Sequence, residues 1–288
     1  MSLGLALSGG GAKGAAHIGV LQALKEENIP IDYIAGTSSG SIIATLYAVG
    51  YHPYQILEIF KNYCSCVFDC DKKLPFRVLG TMFTGKISIK GLAKGDRLEN
   101  LVRLYCARKN IHNISQIKLP IAIPTVDLNT GQVVYFVSQK LTEVPSSNFH
   151  VPVYITSCDI ASVVRASSSF PAVFEPKRIG KYYLMDGGVK MNTPISVLKK
   201  MGATKTLAIC FDKKEEGRKY TQNMVSIVLR AFDIMGQEVN YTETKLADEV
   251  LIPQIEDMGL LDCSRIRQSV NTGYMLVKNN IGNIRSLI

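Results

Sequence analysis

The sequence lacks several features that would set it apart from ordinary globular proteins. It has no low-complexity stretch, internal repeat or long Gly/Ser/Pro linker, which excludes fibrous, disordered and repeat architectures. Its first residues lack the basic region and apolar core of a signal peptide, and the apolar run Leu3–Ser8 predicts a strand instead. The longest uncharged stretch, Tyr33–Leu57, contains Gly, Ser, Thr and Pro53, so we interpret it as a buried strand, turn and helix and not as a membrane span. We therefore expect a single cytoplasmic domain over residues 1–288.

Cysteine is too scattered to form a framework. The seven cysteines are an odd number spread over a large chain, which argues against disulfides and for a reducing compartment. Cys64, Cys66 and Cys70 lie close in sequence, but no histidine or second cysteine pair follows at metal-ligand spacing. We interpret these three as free thiols on a helix.

The charge balance is basic but not concentrated in one arm. The net charge is +9, from 33 basic and 24 acidic residues, with lysine and arginine locally dense between residues 72 and 97. A basic balance favours contact with an anionic membrane surface, and we expect any such contact to be peripheral, at the inner membrane surface. The aromatic-plus-basic patterns of nucleic-acid modules are missing, so no nucleic-acid partner is expected.

Local patterns predict an α/β fold with a mostly parallel central sheet. Two strand–helix units occupy the first fifty residues, with strands at 3–8 and 31–35 and helices at 15–27 and 41–49. The segment 71–95 mixes apolar residues with lysines and suits either a lid or a plain surface excursion. Asp96 and Glu99 resemble a capping box that opens a helix. Later patterns predict helices at 54–70, 96–107, 157–169, 194–201, 221–246 and ending near 278, strands at 120–127, 132–138, 182–185, 206–211 and 249–252, a turn at 178–181 and a charged loop at 212–219.

The motif G-x-S-x-G at residues 36–40 is the most informative stretch of the chain. It stands between the second strand and the second helix, as a nucleophile elbow requires. The sharp turn needs small neighbours, which Gly36 and Gly40 supply, and it exposes Ser38 above the sheet at a helix N-terminus. Because the motif also occurs as an ordinary Gly/Ser turn, its context must decide.

The glycine run at residues 9–14 has two interpretations. It fits G-x-G-x-x-G after a strand, as in dinucleotide sites, but Asp32 lies at the start of the second strand, where it would point away from a ribose. Ala15 stands where a P-loop needs its lysine. The alternative is an oxyanion hole of glycine N–H groups. We favour it because the glycine loop and Ser38 would emerge at the same edge of the sheet.

The serine needs a base, and the sequence has only four histidines, at positions 17, 52, 112 and 150. None follows Asp186, so the Ser-Asp-His order of an α/β-hydrolase is missing. His17 lies within the first helix, and we interpret it as structural. Asp186 follows an apolar run and precedes two glycines, so it is the better candidate for the base, although Asp-Gly-Gly is also a common turn.

Taken together, these motifs resemble the patatin-like phospholipase family. The resemblance rests on G-G-G-A-K-G at 9–14, G-T-S-S-G at 36–40 and D-G-G at 186–188, in that order, and covers about residues 3–201. The first helix and the segment Ala166–Pro171 look like the bacterial members. The resemblance implies a three-layer α/β/α fold and a Ser–Asp dyad, with no metal or organic cofactor.

The resemblance also implies a role for each motif residue. Ser38 would be the nucleophile and Asp186 the proton acceptor, while Lys13 would orient the glycine loop or bind phosphate. The oxyanion hole would be formed by backbone N–H groups of Gly9, Gly10, Gly11 and Ser39. The other glycines would shape the backbone: Gly14 in the glycine loop, Gly36 and Gly40 in the elbow, and Gly187 and Gly188 in the Asp-Gly-Gly turn. The substrate would be a phospholipid or lysophospholipid ester. The alternatives are an acyltransferase using the same acyl-serine, a dinucleotide-binding oxidoreductase and a non-catalytic lipid- or protein-binding module.

Overall fold

The computed structural model describes most of the chain. It covers residues 1–67, 91, 93–141, 151–171, 173–211, 227, 234–236, 240–255, 258–259 and 262–288. Most of the lid segment expected at 71–95 lies outside the described residues, as do Cys70, the charged loop expected at 212–219 and most of the helix expected at 221–246.

The first fifty residues form two strand–turn–helix units, as the sequence predicts. Strand β1 (Leu3–Leu7) is buried along its whole length and leads through a short 3-10 turn (Gly11–Gly14) into helix α1 (Ala15–Glu26). Strand β2 (Tyr33–Gly36) leads directly into helix α2 (Ser39–Ala48). A parallel strand covered on both faces is apolar throughout, which is the pattern that identified β1.

The other elements largely follow the sequence prediction. The helices are α3 (Pro53–Val67), α4 (Asp96–Ala107), α5 (Ile160–Ser167), α6 (Ile195–Met201), α7 (Ile266–Asn279) and α8 (Ile281–Arg285). The strands are β3 (Ile121–Asp127), β4 (Val133–Val137), β5 (Val153–Ile155), β6 (Lys177–Ile179), β7 (Tyr182–Asp186), β8 (Lys205–Ile209) and β9 (Glu249–Leu251). The sequence did not predict β5 and α8, which are too short to show a period. The turn expected at 178–181 was also partly wrong, because Arg178 and Ile179 belong to β6 and the chain turns at Gly180, with φ 56°.

The strands form one mixed sheet in the order β5-β4-β3-β2-β1-β8-β9. Neighbours are parallel at β1–β2, β1–β8, β2–β3, β4–β5 and β8–β9, and antiparallel at β3–β4, β3–β7 and β6–β7. The mostly parallel sheet is therefore confirmed, with antiparallel pairing confined to the neighbourhood of β3 and β7.

Strand β3 has two partners along one of its sides. Near its start it pairs in parallel with β2, where Ala122 lies opposite Ala35. Near its end it pairs antiparallel with β7, where Thr125 lies opposite Asp186. Because β4 pairs along the other side of β3, β2 and β7 must share a side and run towards each other. The C-terminal ends of β2 and β7 therefore meet.

Each face of the sheet buries its own set of side chains. On one face, Leu3, Leu5 and Leu7 of β1 join the apolar side chains of α1–α5, α7 and α8. On the other face, α6 packs against a row of small side chains, namely Ala6, Ala35, Ala122 and Ala208. Helices on both faces give the three-layer α/β/α arrangement that was predicted.

The capping box expected at Asp96 and Glu99 was wrong. Helix α4 is preceded by Gly95, with φ 75°, and no side chain caps it. The Glu99 carboxylate instead accepts hydrogen bonds from Lys177 at 2.5 Å and from Arg103 at 2.8 Å. A capping box needs Asp96 at the N-cap, but Gly95 holds that position. The fold also brings Lys177 to the Glu99 carboxylate, and such a charge-assisted hydrogen bond is stronger than one between neutral groups.

Helix α7 packs on α1 through two glycines. A Cβ atom at Gly19 would overlap the carbonyl oxygen of Val270, and one at Gly273 would overlap that of Ala16. The same helix is also tied to the end of α1 by an ion pair between Lys278 and Glu27. The two backbones therefore touch where α1 leaves the glycine loop. Within the described part of the chain, every helix falls short of the length and apolar character that crossing a membrane requires.

The close approach of α1 and α7 predicts the effect of adding one methyl group. Gly19→Ala should lower the free energy of unfolding by at least ~2 kcal/mol, because the two helices must move apart to admit the methyl group. Gly282→Ala is the matched control: its site in α8 is open, and alanine is favoured over glycine in a helix by up to ~1 kcal/mol. Urea unfolding measures both variants. If Gly19→Ala were as stable as the wild type, the backbone contact would be disproved.

Candidate active site

The elbow at residues 36–40 has the strained geometry that the motif predicts. Ser38 lies between β2 and α2 with φ 52° and ψ −122°, a backbone conformation that non-glycine residues rarely adopt. Its two flanking glycines are required by close backbone contacts: a Cβ atom at Gly36 would overlap the Gly40 carbonyl, and one at Gly40 would overlap the Leu7 carbonyl. The strand–turn–helix junction is therefore compressed against β1, and Ser38 stands at its apex.

Asp186 ends β7 and is 1% exposed. Its Oδ1 atom accepts the Gly188 N–H at 2.8 Å, whereas Oδ2 has no hydrogen-bond partner of standard geometry among the described residues. Burial raises the pKa of Asp186 from 3.8 to about 7, while the Gly188 N–H and the Ser38 hydroxyl act in the opposite direction. The Ser38 hydroxyl is therefore close enough to act on this carboxyl group.

The glycine loop lies beside the elbow, as the sequence predicts. A Cβ atom at Gly9 would lie 3.2 Å from the Cβ of Ser38, and one at Gly10 would lie 2.5 Å from the Phe211 ring. Next in the loop, Gly11 has φ 57°, in the region that favours glycine. A Cβ atom at Gly14 would overlap the Ser39 hydroxyl. At Gly9 and Gly14, only residues without side chains let the loop approach the elbow this closely.

The loop differs from the prediction at Gly9. The Gly9 N–H already donates to Asn192, at 3.1 Å to Oδ1 and 3.3 Å to the backbone oxygen, so it is not available to a substrate oxygen. The backbone N–H groups of Gly10, Gly11 and Ser39 have no acceptor among the described residues. These three are the donors available for an oxyanion hole.

Lys13 is buried, with 7% of its surface exposed, and its N–H donates to the Gly10 carbonyl at 3.2 Å. A buried position suits the role of orienting the loop better than that of binding a substrate phosphate. The sequence interpretation allowed both roles.

Asn192 is a site residue that the sequence did not reveal. Its Oδ1 holds the glycine loop, and a Cβ atom at Gly188 would lie 3.0 Å from the same oxygen. The preceding residue, Met191, accepts a hydrogen bond from the Thr37 hydroxyl at 2.9 Å. Residues 191 and 192 therefore contact the glycine loop, the elbow and the Asp-Gly-Gly turn. An Asn-Thr-Pro sequence carries no signal of this, because the contacts depend on how β1, β2 and β7 meet.

Among the three described histidines, none hydrogen-bonds to Ser38 or Asp186. His17 is fully buried in α1, and its Nε2 lies 2.8 Å from the Ser8 carbonyl oxygen. Burial lowers the pKa of His17 to about 4, so the ring is neutral at pH 7 and Nε2 donates to Ser8. Its interpretation as a structural histidine is confirmed. The described residues contain no group of three or more His, Cys, Asp or Glu that could hold a metal ion.

The buried carboxyl group predicts how stability depends on pH. Because its pKa is raised in the folded protein, protonated Asp186 favours folding. This stability is fully present below pH 3.8 and is lost as the pH rises to about 7. Asp186→Asn cannot ionise, so between pH 5 and pH 8 its stability relative to wild type should rise by roughly 2–3 kcal/mol. Urea unfolding of both proteins at the two pH values measures the difference, and an equal pH dependence would contradict the burial of an ionisable group at this position.

Comparison with known proteins agrees with this geometry. The family model for patatin-like phospholipase matches residues 5–199, more than half of the chain. An NTE-family protein of Mycobacterium tuberculosis is 24% identical over 96% of this chain and 46% of its own length. The lysophospholipase NTE1 of Debaryomyces hansenii is 28% identical over 72% of this chain and 12% of its own length. The chain thus spans less than half the length of these curated relatives.

The fold itself has a solved counterpart. The structure of VipD from Legionella pneumophila superposes with a TM-score of 0.50 at 14% identity, covering 98% of this chain and 66% of that one. This likeness supports the architecture alone, whereas the family match includes the glycine loop, the elbow and the Asp-Gly-Gly turn in one segment. The chain belongs to the patatin-like phospholipase family.

Proposed function

We propose that the protein is a lipid acyl hydrolase that cleaves phospholipid or lysophospholipid esters through an acyl-serine intermediate. The main support for this proposal is the contact between the Ser38 hydroxyl and the buried carboxyl group of Asp186, whose pKa is about 7. The family and the relative named as a lysophospholipase support a lipid ester as substrate. The net charge of +9 supports peripheral contact with an anionic lipid surface.

In the first half of the reaction, the Ser38 Oγ attacks the ester carbonyl carbon and Asp186 accepts the serine proton. The C=O bond becomes a C–O⁻ single bond, and the N–H groups of Gly10, Gly11 and Ser39 stabilise the negative oxygen. When the carbonyl re-forms, the bond to the alcohol oxygen breaks. That oxygen takes the proton from Asp186, and the acyl group stays on Ser38.

In the second half, water replaces the alcohol. Asp186 accepts a proton from the water as its oxygen attacks the acyl carbon, and the same N–H groups hold the negative oxygen. Collapse of this intermediate breaks the bond to the Ser38 Oγ, which takes the proton from Asp186. The products are a fatty acid and the free enzyme, so atoms and protons balance without a cofactor.

Burial makes the Asp186 carboxylate a stronger base. At its ordinary pKa of 3.8, Asp186 would be a weak base at neutral pH, whereas a general base works best with a pKa near the operating pH. Removal of water raises the pKa to about 7 and so supplies much of the basicity that a histidine supplies in a triad. A module that only bound lipid or protein would gain nothing from this costly burial.

Covalent labelling of Ser38 tests the proposal directly. A long-chain alkyl fluorophosphonate should form an adduct on Ser38, located by peptide mass mapping, and Asp186→Asn should lose it because the amide cannot accept the proton.

Ser38→Ala should lower ester turnover at least ~10³-fold while the protein remains folded. Turnover that survives Ser38→Ala would reject the dyad. Product analysis with and without an added alcohol separates hydrolysis from acyl transfer.

The pH dependence of turnover is a second prediction. Because Asp186 must be unprotonated to accept a proton, kcat/KM should fall below a midpoint near pH 7, about tenfold for each further pH unit. A water-soluble short-chain ester avoids changes in the lipid surface with pH. A midpoint near pH 4 would contradict a raised pKa at the base.

A further inference from the structure

The nucleophile's backbone needs a restraint. A non-glycine residue with the dihedral angles of Ser38 costs about 1–3 kcal/mol, so the conformation persists only if neighbouring groups hold it. The Ser38 N–H has one hydrogen-bond partner among the described residues, the Oγ atom of Ser167, at 3.2 Å. An N–H group can only donate, so the Ser167 oxygen is the acceptor.

Ser167 is itself fixed in orientation. It is the last residue of α5 and is fully buried. Its hydroxyl lies 2.8 Å from the Pro124 carbonyl oxygen, which can only accept, so the hydroxyl proton is directed there. A lone pair of the same oxygen is left to receive the Ser38 N–H. Because the Ser38 N–H donates to Ser167, it is not available to an oxyanion.

Ser169, two residues beyond the end of α5, bonds to Asp186, the second residue of the proposed dyad. The Asp186 N–H donates to the Ser169 carbonyl oxygen at 3.1 Å. The Ser169 hydroxyl in turn lies 2.6 Å from an amino group of Arg165, a buried residue that also donates to the Glu175 carbonyl at 2.7 Å. Ser167 and Ser169 therefore accept hydrogen bonds from the backbones of both residues of the proposed dyad.

We propose that Ser167 is a positioning residue, which fixes the Ser38 backbone and so holds the nucleophile at its working distance from Asp186. The inference rests on the proposed function. Reaction rates depend steeply on such placement, and a displacement of about 1 Å can cost ~10²-fold. Ser167 touches neither substrate nor reacting atoms, so its effect must appear in the rate of attack and not in substrate binding.

The next residue provides a matched control. Ser168 is 2% exposed, as buried as its neighbour, but its hydroxyl has no hydrogen-bond partner among the described residues. Ser167→Ala and Ser168→Ala therefore remove the same atom from adjacent buried positions, and only the first removes a contact to the nucleophile.

The experiment compares the rate of Ser38 labelling by a small alkyl fluorophosphonate in wild type, Ser167→Ala and Ser168→Ala, with folding checked by thermal melting. Labelling should slow at least ~10-fold in Ser167→Ala and stay near wild type in Ser168→Ala. For a short-chain ester, kcat should fall in Ser167→Ala while KM stays unchanged. A residue that served only stability would lower the melting temperature and leave both rates intact in the folded protein.

Each outcome separates this inference from the proposed function. If wild-type Ser38 is not labelled, the proposed function itself fails. If wild type is labelled and Ser167→Ala reacts equally fast, or both alanine variants slow equally, the positioning role is overturned and the function stands. If Ser167→Ala does not fold, Ser167→Thr, which keeps the hydroxyl, replaces it. Labelling of this variant within a few-fold of wild type supports the positioning role. Loss of labelling in the folded variant overturns it.

Discussion

The pairing of β3 with both β2 and β7 is the constraint on which the rest of the site depends. A serine elbow at the end of a parallel strand normally faces solvent above the sheet, and the base must be brought to it by a separate loop. Here β7 runs antiparallel to β3 and pairs with it on the same side as β2, beyond the last residue of β2. The Asp186 carboxyl group therefore belongs to a hydrogen-bonded strand, and its position is set by the register of β7 against β3.

This arrangement explains how a strained and desolvated site can be tolerated. Ser38 holds unfavourable dihedral angles, and burial removes water from the ionised form of Asp186, so both oppose folding at neutral pH. Each lies at or just beyond the end of a strand that pairs with β3. Their backbones also bond to Ser167 and Ser169 at the end of α5, a helix that packs in the main apolar cluster. The surrounding sheet thus fixes conformations that the local sequence would not adopt alone.

The sequence predicted most of what is local and little of what depends on tertiary contact. The glycine loop, the elbow and the candidate base Asp186 were identifiable, because glycines at tight turns and apolar runs before them are local patterns. The contact of Asn192 with Gly9 and that of Ser167 with Ser38 join residues 183 and 129 positions apart. No spacing rule connects such pairs. The capping box failed for the same reason, since Glu99 meets Lys177, 78 positions away.

The family match ends at residue 199, yet the folding unit does not. Strand β8 pairs with β1 along its whole length, and β9 extends the sheet beyond it. The backbone of helix α7 contacts that of α1, next to the turn Gly11–Gly14 of the glycine loop. A boundary drawn from sequence similarity would therefore cut through the sheet and expose the side of α1 that α7 covers, next to the glycine loop. The smallest fragment expected to keep the candidate site intact includes the C-terminal helices, so a fragment chosen for expression or fusion should retain them.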